Sequence, residues 1–514
     1  MYDSNHLANR LRAASLGRDD AAFAELPGGE TLDYGTLFAQ AERCASALTL
    51  AGVVPGDRVA VQVEKSIEAL ALYLGTILSG GVFLPLNMGY TPAEMAYFLG
   101  DAEPTVLVCD PARHGALGSV AAKAGTAALF TLDRDGAGSW AEAVVEDDAF
   151  EAVPRGRDDL AAILYTSGTT GRSKGAMLSH GNLASNSTTL VEHWRFTKDD
   201  VLIHALPIFH THGLFVATNV TLIAGGSVIF MPAFNADALI EALPRATAMM
   251  GVPTFYTRLL DHPDLSREVT ANMRLFVSGS APLLSETHGR WQQVTGHAIL
   301  ERYGMTETNM NTSNPYDGAR RAGTVGFPLP GVEIRIADPA TGEVLPQGEI
   351  GGIEVRGPNV FQGYWRMPEK TAEELRENGF FLTGDLGRID AQGYLSIVGR
   401  SKDLIISGGF NVYPKEIEAL IDAIPGVRES AVVGLPHPDF GEGVAAVVVT
   451  EPDARVEEAD IAAALGDQLA KFKQPKRVFF VDELPRNAMS KVTKNTLRDR
   501  FANTFQQTQQ QSMG

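Results

Sequence analysis

Apolar and polar positions change texture three times along this chain. Between residues 30 and 130 short apolar runs alternate with stretches of helical spacing. Thr31 to Ala51 reads as a helix after a short turn, Arg58 to Val63 as a strand and Ser66 to Leu78 as a helix. Phe83 to Leu86 and Pro104 to Cys109 read as further short strands. Such alternation predicts a layered α/β unit. A second pass of the same kind runs from Val201 through Phe230 to Met249, with Gly225-Gly226 turning into a strand from Ser227 to Met231. From Thr324 the pattern shortens to β segments with Gly and Pro at close intervals, Val332 to Ile336, Gly352 to Val355 and Tyr394 to Ile397. They predict a small, distorted, β-barrel-like subdomain or sheet.

A second break falls at residues 400–409. Beyond it Pro414 to Ile424 reads as a helix, Glu429 to Gly434 and Val444 to Thr450 as strands, and Glu457 to Leu469 as a helix. This predicts a compact α+β domain. The expected fold class is therefore α/β, with a large N-terminal domain over 1–399, a hinge at 400–402 and a small C-terminal domain over 403–502. Residues 503–514 are glutamine-rich, offer no periodic apolar face and are expected to form a disordered tail.

Between the apolar run Leu160 to Leu164 and the amphipathic stretch Asn182 to Trp194 lies Tyr165-Thr-Ser-Gly-Thr-Thr-Gly-Arg-Ser-Lys-Gly175. Most of its residues are Gly, Ser or Thr, short enough for backbone N–H groups to converge on an anion, so it reads as a phosphate nest. It is not a Walker A loop, which needs Gly-Lys-Ser/Thr in succession, because Arg172 and Ser173 separate Gly171 from Lys174. Gly171 to Gly175 does satisfy G-x-S-x-G, so a serine hydrolase using Ser173 is an alternative outside this class.

Composition narrows the partners. The chain has 514 residues and a formal net charge of −19, which argues against nucleic acid. If its ligands are anions, local cations must reverse the global field. Cys44 and Cys109 give no disulfide framework and read as small core hydrophobes in a reducing compartment. Met1 to Arg12 lacks an apolar signal core, and no apolar run approaches the about 18 residues that span a bilayer. A cytoplasmic protein with no membrane partner is expected. His210 and His212 could face one way as a metal pair on an extended segment, but no third ligand with suitable spacing accompanies them.

Further motifs follow the loop in order: Tyr303-Gly-Met-Thr-Glu307, Thr383-Gly-Asp385, Gly399-Arg-Ser-Lys-Asp403, and Pro485-Arg-Asn487 leading to Lys491. With the loop, they resemble the signatures of the adenylate-forming, or acyl-activating, superfamily over about Thr31 to Leu497. In detail, Leu300 to Ser313 and Phe209-His-Thr-His-Gly-Leu214 resemble its malonate-activating members. The resemblance implies an AMP-forming acid–thiol ligase. ATP, Mg²⁺ and coenzyme A would be cofactors, malonate or methylmalonate the acid, and the C-terminal domain mobile. A short-chain monocarboxylate ligase is the alternative within the class.

The same resemblance implies the site. Thr166, Ser167, Gly168, Thr169, Thr170, Gly171 and Lys174 would hold phosphates, with Ser280, Ala281 and Pro282 beside the adenine and acyl adenylate. Tyr303 would lie on adenine, with Glu301, Gly304, Met305 and Thr306 in the same nucleotide-binding motif. Glu307 would hold magnesium with Thr166, since Mg²⁺ takes one or two protein oxygens and fills the rest with phosphate and water. Asp385 and Arg400 would contact ribose. Lys491 would serve adenylation, Lys402 the hinge, and Gly408 and Gly409 the thiol path. His210 is carried over as a wall of the carboxylate pocket, with His212 left open as its competitor. Arg302 is the best-placed cation for a second carboxylate, with Ser280 beside it, unless it forms a structural ion pair with Glu301.

Overall fold

The computed structural model describes residues 2–144, 150–166, 173–408, 410–452, 454–466, 468–487 and 491–505. The chain divides into two compact units, Met1–Ile334 with Val355–Phe381, and Arg335–Glu354 with Leu382–Gly514. The division therefore falls inside the β-rich segment. The expected boundary at Arg400 lies within the second unit.

Two sheets build the first unit. One runs in the order Ala128–Thr131, Val106–Cys109, Arg58–Gln62, Val82–Pro85, Leu160–Thr166 and Lys174–Ser179. The other has nine strands: Phe327–Pro328, Asn309–Ser313, Leu300–Met305, Leu275–Ser278, Ala248–Gly251, Val201–His204, Ser227–Phe230, Ala22–Glu25 and Thr31–Asp33. Its central strands pair in parallel. Parallel strands need crossovers, and the helices that make them start on side-chain caps. Ser66 accepts from the Ala69 N–H ahead of Ile67–Leu78, and a Thr91–Glu94 capping box with Pro92 opens Pro92–Ala102. Near-continuous burial of Arg58–Gln62 and Ile67–Leu78 accounts for their apolar runs. Cys44 and Cys109 are both buried and free, as small core hydrophobes should be.

The second unit holds a four-stranded sheet, Glu333–Ala337, Gly351–Arg356, Phe381–Ile389 and Leu395–Arg400, the first three straddling the unit division. Of the two forms expected, this is the sheet. A five-stranded sheet follows, in which Val427–His437 and Gly441–Thr450 form a long antiparallel pair. Alternate residues of that pair enter two cores. Val432, Val444, Ala446 and Val448 pack with Ile417, Ile421 and Ile461, while Ala431, Val433, Ala445 and Val447 pack with Leu497. Phe505 joins the second core and is 7% exposed, so the expected tail does not begin at residue 503. Among the described residues no helix is long and apolar enough to cross a membrane.

Candidate active site

Parallel strands release their chains at their C-terminal ends, and ligands of open α/β sheets bind there. In the first unit Thr166, His204, Gly251 and Ser278 are all last residues of strands. Thr166 pairs across to Lys174 in an antiparallel register that sequence reading missed: Lys174 and Gly175 belong to a strand, Lys174–Ser179, and the next helix starts at His180. Ser173 therefore immediately precedes a strand, whereas a nucleophile elbow sits on a strand-to-helix turn. The phosphate-loop residues Ser167, Gly168, Thr169, Thr170 and Gly171 lie outside the described residues.

Lys174 is drawn into a buried network. Its ammonium lies 2.9 Å from Glu374 Oε1 and 4.0 Å above the Tyr364 ring. The Tyr364 hydroxyl, with one proton shared between two carboxylates, lies 2.6 Å from Glu374 Oε2 and 3.1 Å from Glu307 Oε1. Burial pushes the Glu307 carboxyl above the usual carboxylate range, and the bond from Tyr364 works the other way. Glu374 is held below its ordinary value despite burial, because Tyr364, Lys174 and Lys370 donate to it. Tyr364 and Glu374 were not anticipated. Glu374 ends the short helix Pro368–Glu374 and reads in sequence as one more solvated charge.

Glu307 owes its position to a hairpin. Leu300–Met305 is a strand, so Glu301, Arg302, Tyr303, Gly304 and Met305 are strand residues. Thr306, Glu307 and Thr308 turn the chain, and Asn309 at φ 49° starts the returning strand Asn309–Ser313. A bulge between Tyr303 and Gly304 presses the backbones together, and a Cβ on Gly304 would stand 1.9 Å from the Asn309 carbonyl oxygen. No group of three or more His, Cys, Asp or Glu able to hold a metal occurs among the described residues. One buried carboxylate, Glu307, is enough for Mg²⁺ that takes most of its oxygens from phosphate and water.

Alternation along Leu300–Met305 sends Arg302 inward. It is 3% exposed, and its Nε and Nη2 have no hydrogen-bond partner among the described residues. Burial lowers its pKa, yet a guanidinium remains a cation at neutral pH. The guanidinium lies flat on Gly279, where a Cβ would be 2.4 Å from Cζ. Glu301 instead accepts from the Leu283 N–H at 3.2 Å and so tethers the loop holding Ser280, Ala281 and Pro282. Ser280 takes φ 70°, a left-handed conformation rare for serine, and its Oγ stands 3.3 Å from His212 Nδ1.

The histidine pair departs from expectation. It does not alternate on an extended segment, because His212 opens a π-helical turn, His212–Thr218. His210 is half-buried, and its Nδ1 accepts the His212 backbone N–H at 3.4 Å. His212 is the buried one. Burial, followed by the charge of Arg302, pushes its pKa well below the ordinary imidazole value, and its Nε2 has no partner among the described residues. Periodicity could not have shown this, since a π-turn shifts the facing of side chains.

In the second unit Asp385 lies within the strand Phe381–Ile389. It pairs in register with Arg400, whose Nε is 3.0 Å from Asp385 Oδ1. Lys402 sits in the 3₁₀ turn Ser401–Asp403, fixed by an Asp403–Arg498 bond of 2.7 Å. Gly408 has φ 59°. Gly409 lies outside the described residues. Lys491 is exposed, and its backbone is held by a reciprocal pair: its N–H donates to Asn487 Oδ1 at 3.0 Å, and its carbonyl accepts the Asn487 N–H at 2.9 Å.

The first unit thus joins Lys174 to the buried Glu307 carboxylate through Tyr364 and Glu374, and holds a buried Arg302 guanidinium. Residues 11–365 match the AMP-binding enzyme family, and 416–491 match the AMP-binding enzyme C-terminal domain. The chain belongs to that family. It is 35% identical to a malonate–CoA ligase of Arabidopsis thaliana over 98% of this chain and 91% of the relative. A feruloyl-CoA synthase of an Amycolatopsis species is 37% identical over 92% and 95%. The crystal structure of ATP-bound MatB from Rhodopseudomonas palustris is 60% identical, covers 98% of this chain and 99% of its own, and superposes with a TM-score of 0.95.

Proposed function

We propose that this chain is an AMP-forming malonate–CoA ligase, which joins malonate to coenzyme A through malonyl-AMP and releases AMP and pyrophosphate. The observation that carries the reading is Arg302, a buried guanidinium with two donor nitrogens lacking partners among the described residues. Buried donors cost free energy until they meet an acceptor, and the second carboxylate of malonate supplies one. Neutral His212, whose protonation the Arg302 charge opposes, and the Ser280 hydroxyl 3.3 Å from its Nδ1 add polar groups near this cation, in a chain of net charge −19. The 34% identity to a sulfoacetate–CoA ligase over 90% of this chain adds a relative whose acid also bears a second anionic group.

In the first half-reaction one malonate oxygen attacks the α-phosphorus of ATP and the bond to pyrophosphate breaks. Lys174 and Lys491 would balance phosphate charge, and Thr166 and Glu307 would hold the magnesium. When bound, that ion neutralises and orients the phosphates. In the second, the CoA sulfur attacks the malonyl carbonyl, its proton leaves and AMP departs. A cytoplasmic setting suits substrates drawn from the ATP and CoA pools. A panel of acids in a pyrophosphate-release assay tests the reading: malonate should release pyrophosphate far faster than acetate, propionate or ferulate. Equal rates with propionate would reject it.

Two variants test the supporting residues. Glu307 serves magnesium only when ionised, so the acid limb of activity should lie above the range of an ordinary glutamate. Tyr364 donates to the ionised form, so Tyr364→Phe raises this pKa and should move the acid limb of kcat/KM for ATP to higher pH. A shift to lower pH would contradict the assignment. Gly279→Ala places a methyl against the Arg302 guanidinium. It should lower kcat/KM for malonate on the order of 10²-fold, the cost of a displacement of about 1 Å, while leaving the KM for ATP unchanged.

A further inference from the structure

Lys65 is used by none of the chemistry above, and although burial pushes its pKa well below the ordinary lysine value, its nitrogen is ringed by acceptors. It follows the strand Arg58–Gln62 of the six-stranded sheet and is 8% exposed. Its ammonium reaches across to the nine-stranded sheet, where it lies 2.7 Å from the His204 carbonyl oxygen, 2.8 Å from the Met231 carbonyl oxygen and 2.9 Å from His204 Nδ1. The Phe230 ring, 4.6 Å away, faces the same charge. An ammonium has three N–H donors and no acceptor, so three acceptors satisfy it.

The other side of His204 settles its tautomer. Nε2 lies 3.0 Å from both the Gly213 carbonyl oxygen and Thr218 Oγ1. Thr218 Oγ1 itself donates to the same carbonyl at 3.0 Å. A carbonyl only accepts, so Nε2 must carry a proton. A neutral His204 then has a bare Nδ1, and Lys65 is its donor. Gly213 and Thr218 belong to the π-helical turn that begins at His212. Nothing but glycine fits at 213, where a Cβ would stand 2.0 Å from the Pro207 carbonyl oxygen.

We infer that Lys65 is a positioning residue of the acyl pocket: its bond to His204 Nδ1 holds the Nε2–H tautomer, which pins the π-turn and so sets where His212 stands against Ser280. The inference rests on the proposed reading only in assigning that pocket to malonate. A π-turn is an irregular element with a weaker internal hydrogen-bond pattern, and an external donor at its first carbonyls fixes its register. The groups facing the His204 ring are Lys65, Phe230, Thr218 and Gly213, with His212 in electrostatic reach and Lys65 the charge that acts on it, so no carboxylate among them competes for its proton.

Two measurements test this. In the full-length parent with ¹⁵N-labelled histidine, His204, assigned through a His204→Asn variant, should show a protonated Nε2 and an unprotonated, hydrogen-bonded Nδ1 across neutral pH. A proton on Nδ1 overturns the inference whether or not the enzyme uses malonate. In kinetics, Lys65→Met removes every donor, and misplacement of the turn should raise the KM for malonate on the order of 10- to 100-fold with the KM for ATP unchanged. Lys65→Gln, which keeps an N–H donor, should recover most of the loss. A joint rise of both KM values, or no recovery with Gln, makes Lys65 a packing residue only. A parent that ignores malonate rejects the proposed function, and the tautomer still decides the role of Lys65.

Discussion

Replacing Lys491 by Ala is expected to slow malonyl-AMP formation on the order of 10²- to 10³-fold while leaving transfer of the malonyl group from supplied malonyl-AMP to CoA largely intact. Attack of a carboxylate on the α-phosphorus concentrates negative charge on phosphate oxygens. A lysine meets it as a compact point charge and need not accept a proton. Loss of one such preorganised group costs on the order of 10² to 10³ in rate. The second half-reaction expels AMP from a carbonyl carbon and makes no comparable demand at phosphorus. The Asn487–Lys491 backbone pair and the Arg486–Glu429 ion pair hold the segment without the Lys491 side chain, so the variant keeps its local fold. Rapid-quench timing of each half-reaction checks this. Equal loss in both would remove Lys491 from a role specific to adenylation.

Arg302→Leu should lose malonate far more than ATP. Malonate bound for adenylation turns one carboxylate to phosphate and must bury the other, and a buried charge left unpaired costs roughly 3 to 5 kcal/mol. At about 1.4 kcal/mol per decade, kcat/KM for malonate should fall on the order of 10² to 10⁴. Propionate lacks the second charge and should fall less, so the malonate-to-propionate ratio is the quantity to compare between variant and parent. The buried surroundings of Arg302 make the leucine tolerable, because it removes a desolvated cation rather than a surface contact. An unchanged ratio would leave Arg302 a structural residue and take the main support from the dicarboxylate reading.

Much of the fold was legible because its signals are local. Capping residues and apolar runs place Ile67–Leu78 and Arg58–Gln62 within a residue or two of expectation. The β-rich segment beyond Thr324 was visible as texture, but the compact division at Ile334, Glu354 and Phe381 depends on pairing between distant strands. Motifs likewise single out Thr166, Glu307, Asp385 and Lys491 as candidates, because their spacing is short enough to read. What they could not expose were partners supplied from elsewhere in the chain. Tyr364 and Glu374 meet Lys174 across about two hundred residues, and the choice between His210 and His212 turns on a π-helical turn that no hydrophobic period announces. Arg302 was singled out for its charge, but its burial against Gly279 and its open donors are facts of packing.

The most direct measurement follows an oxygen atom. With malonate labelled by ¹⁸O in its carboxylates, attack on the α-phosphorus makes a carboxylate oxygen the bridge to phosphorus, and cleavage by the CoA thiol leaves that oxygen on AMP. Mass spectrometry of the products of this enzyme with ATP, magnesium and CoA should find one ¹⁸O in each AMP, none in pyrophosphate, and malonyl-CoA equal in amount to AMP. Unlabelled AMP, or ADP and labelled orthophosphate in its place, would contradict activation of malonate through an adenylate.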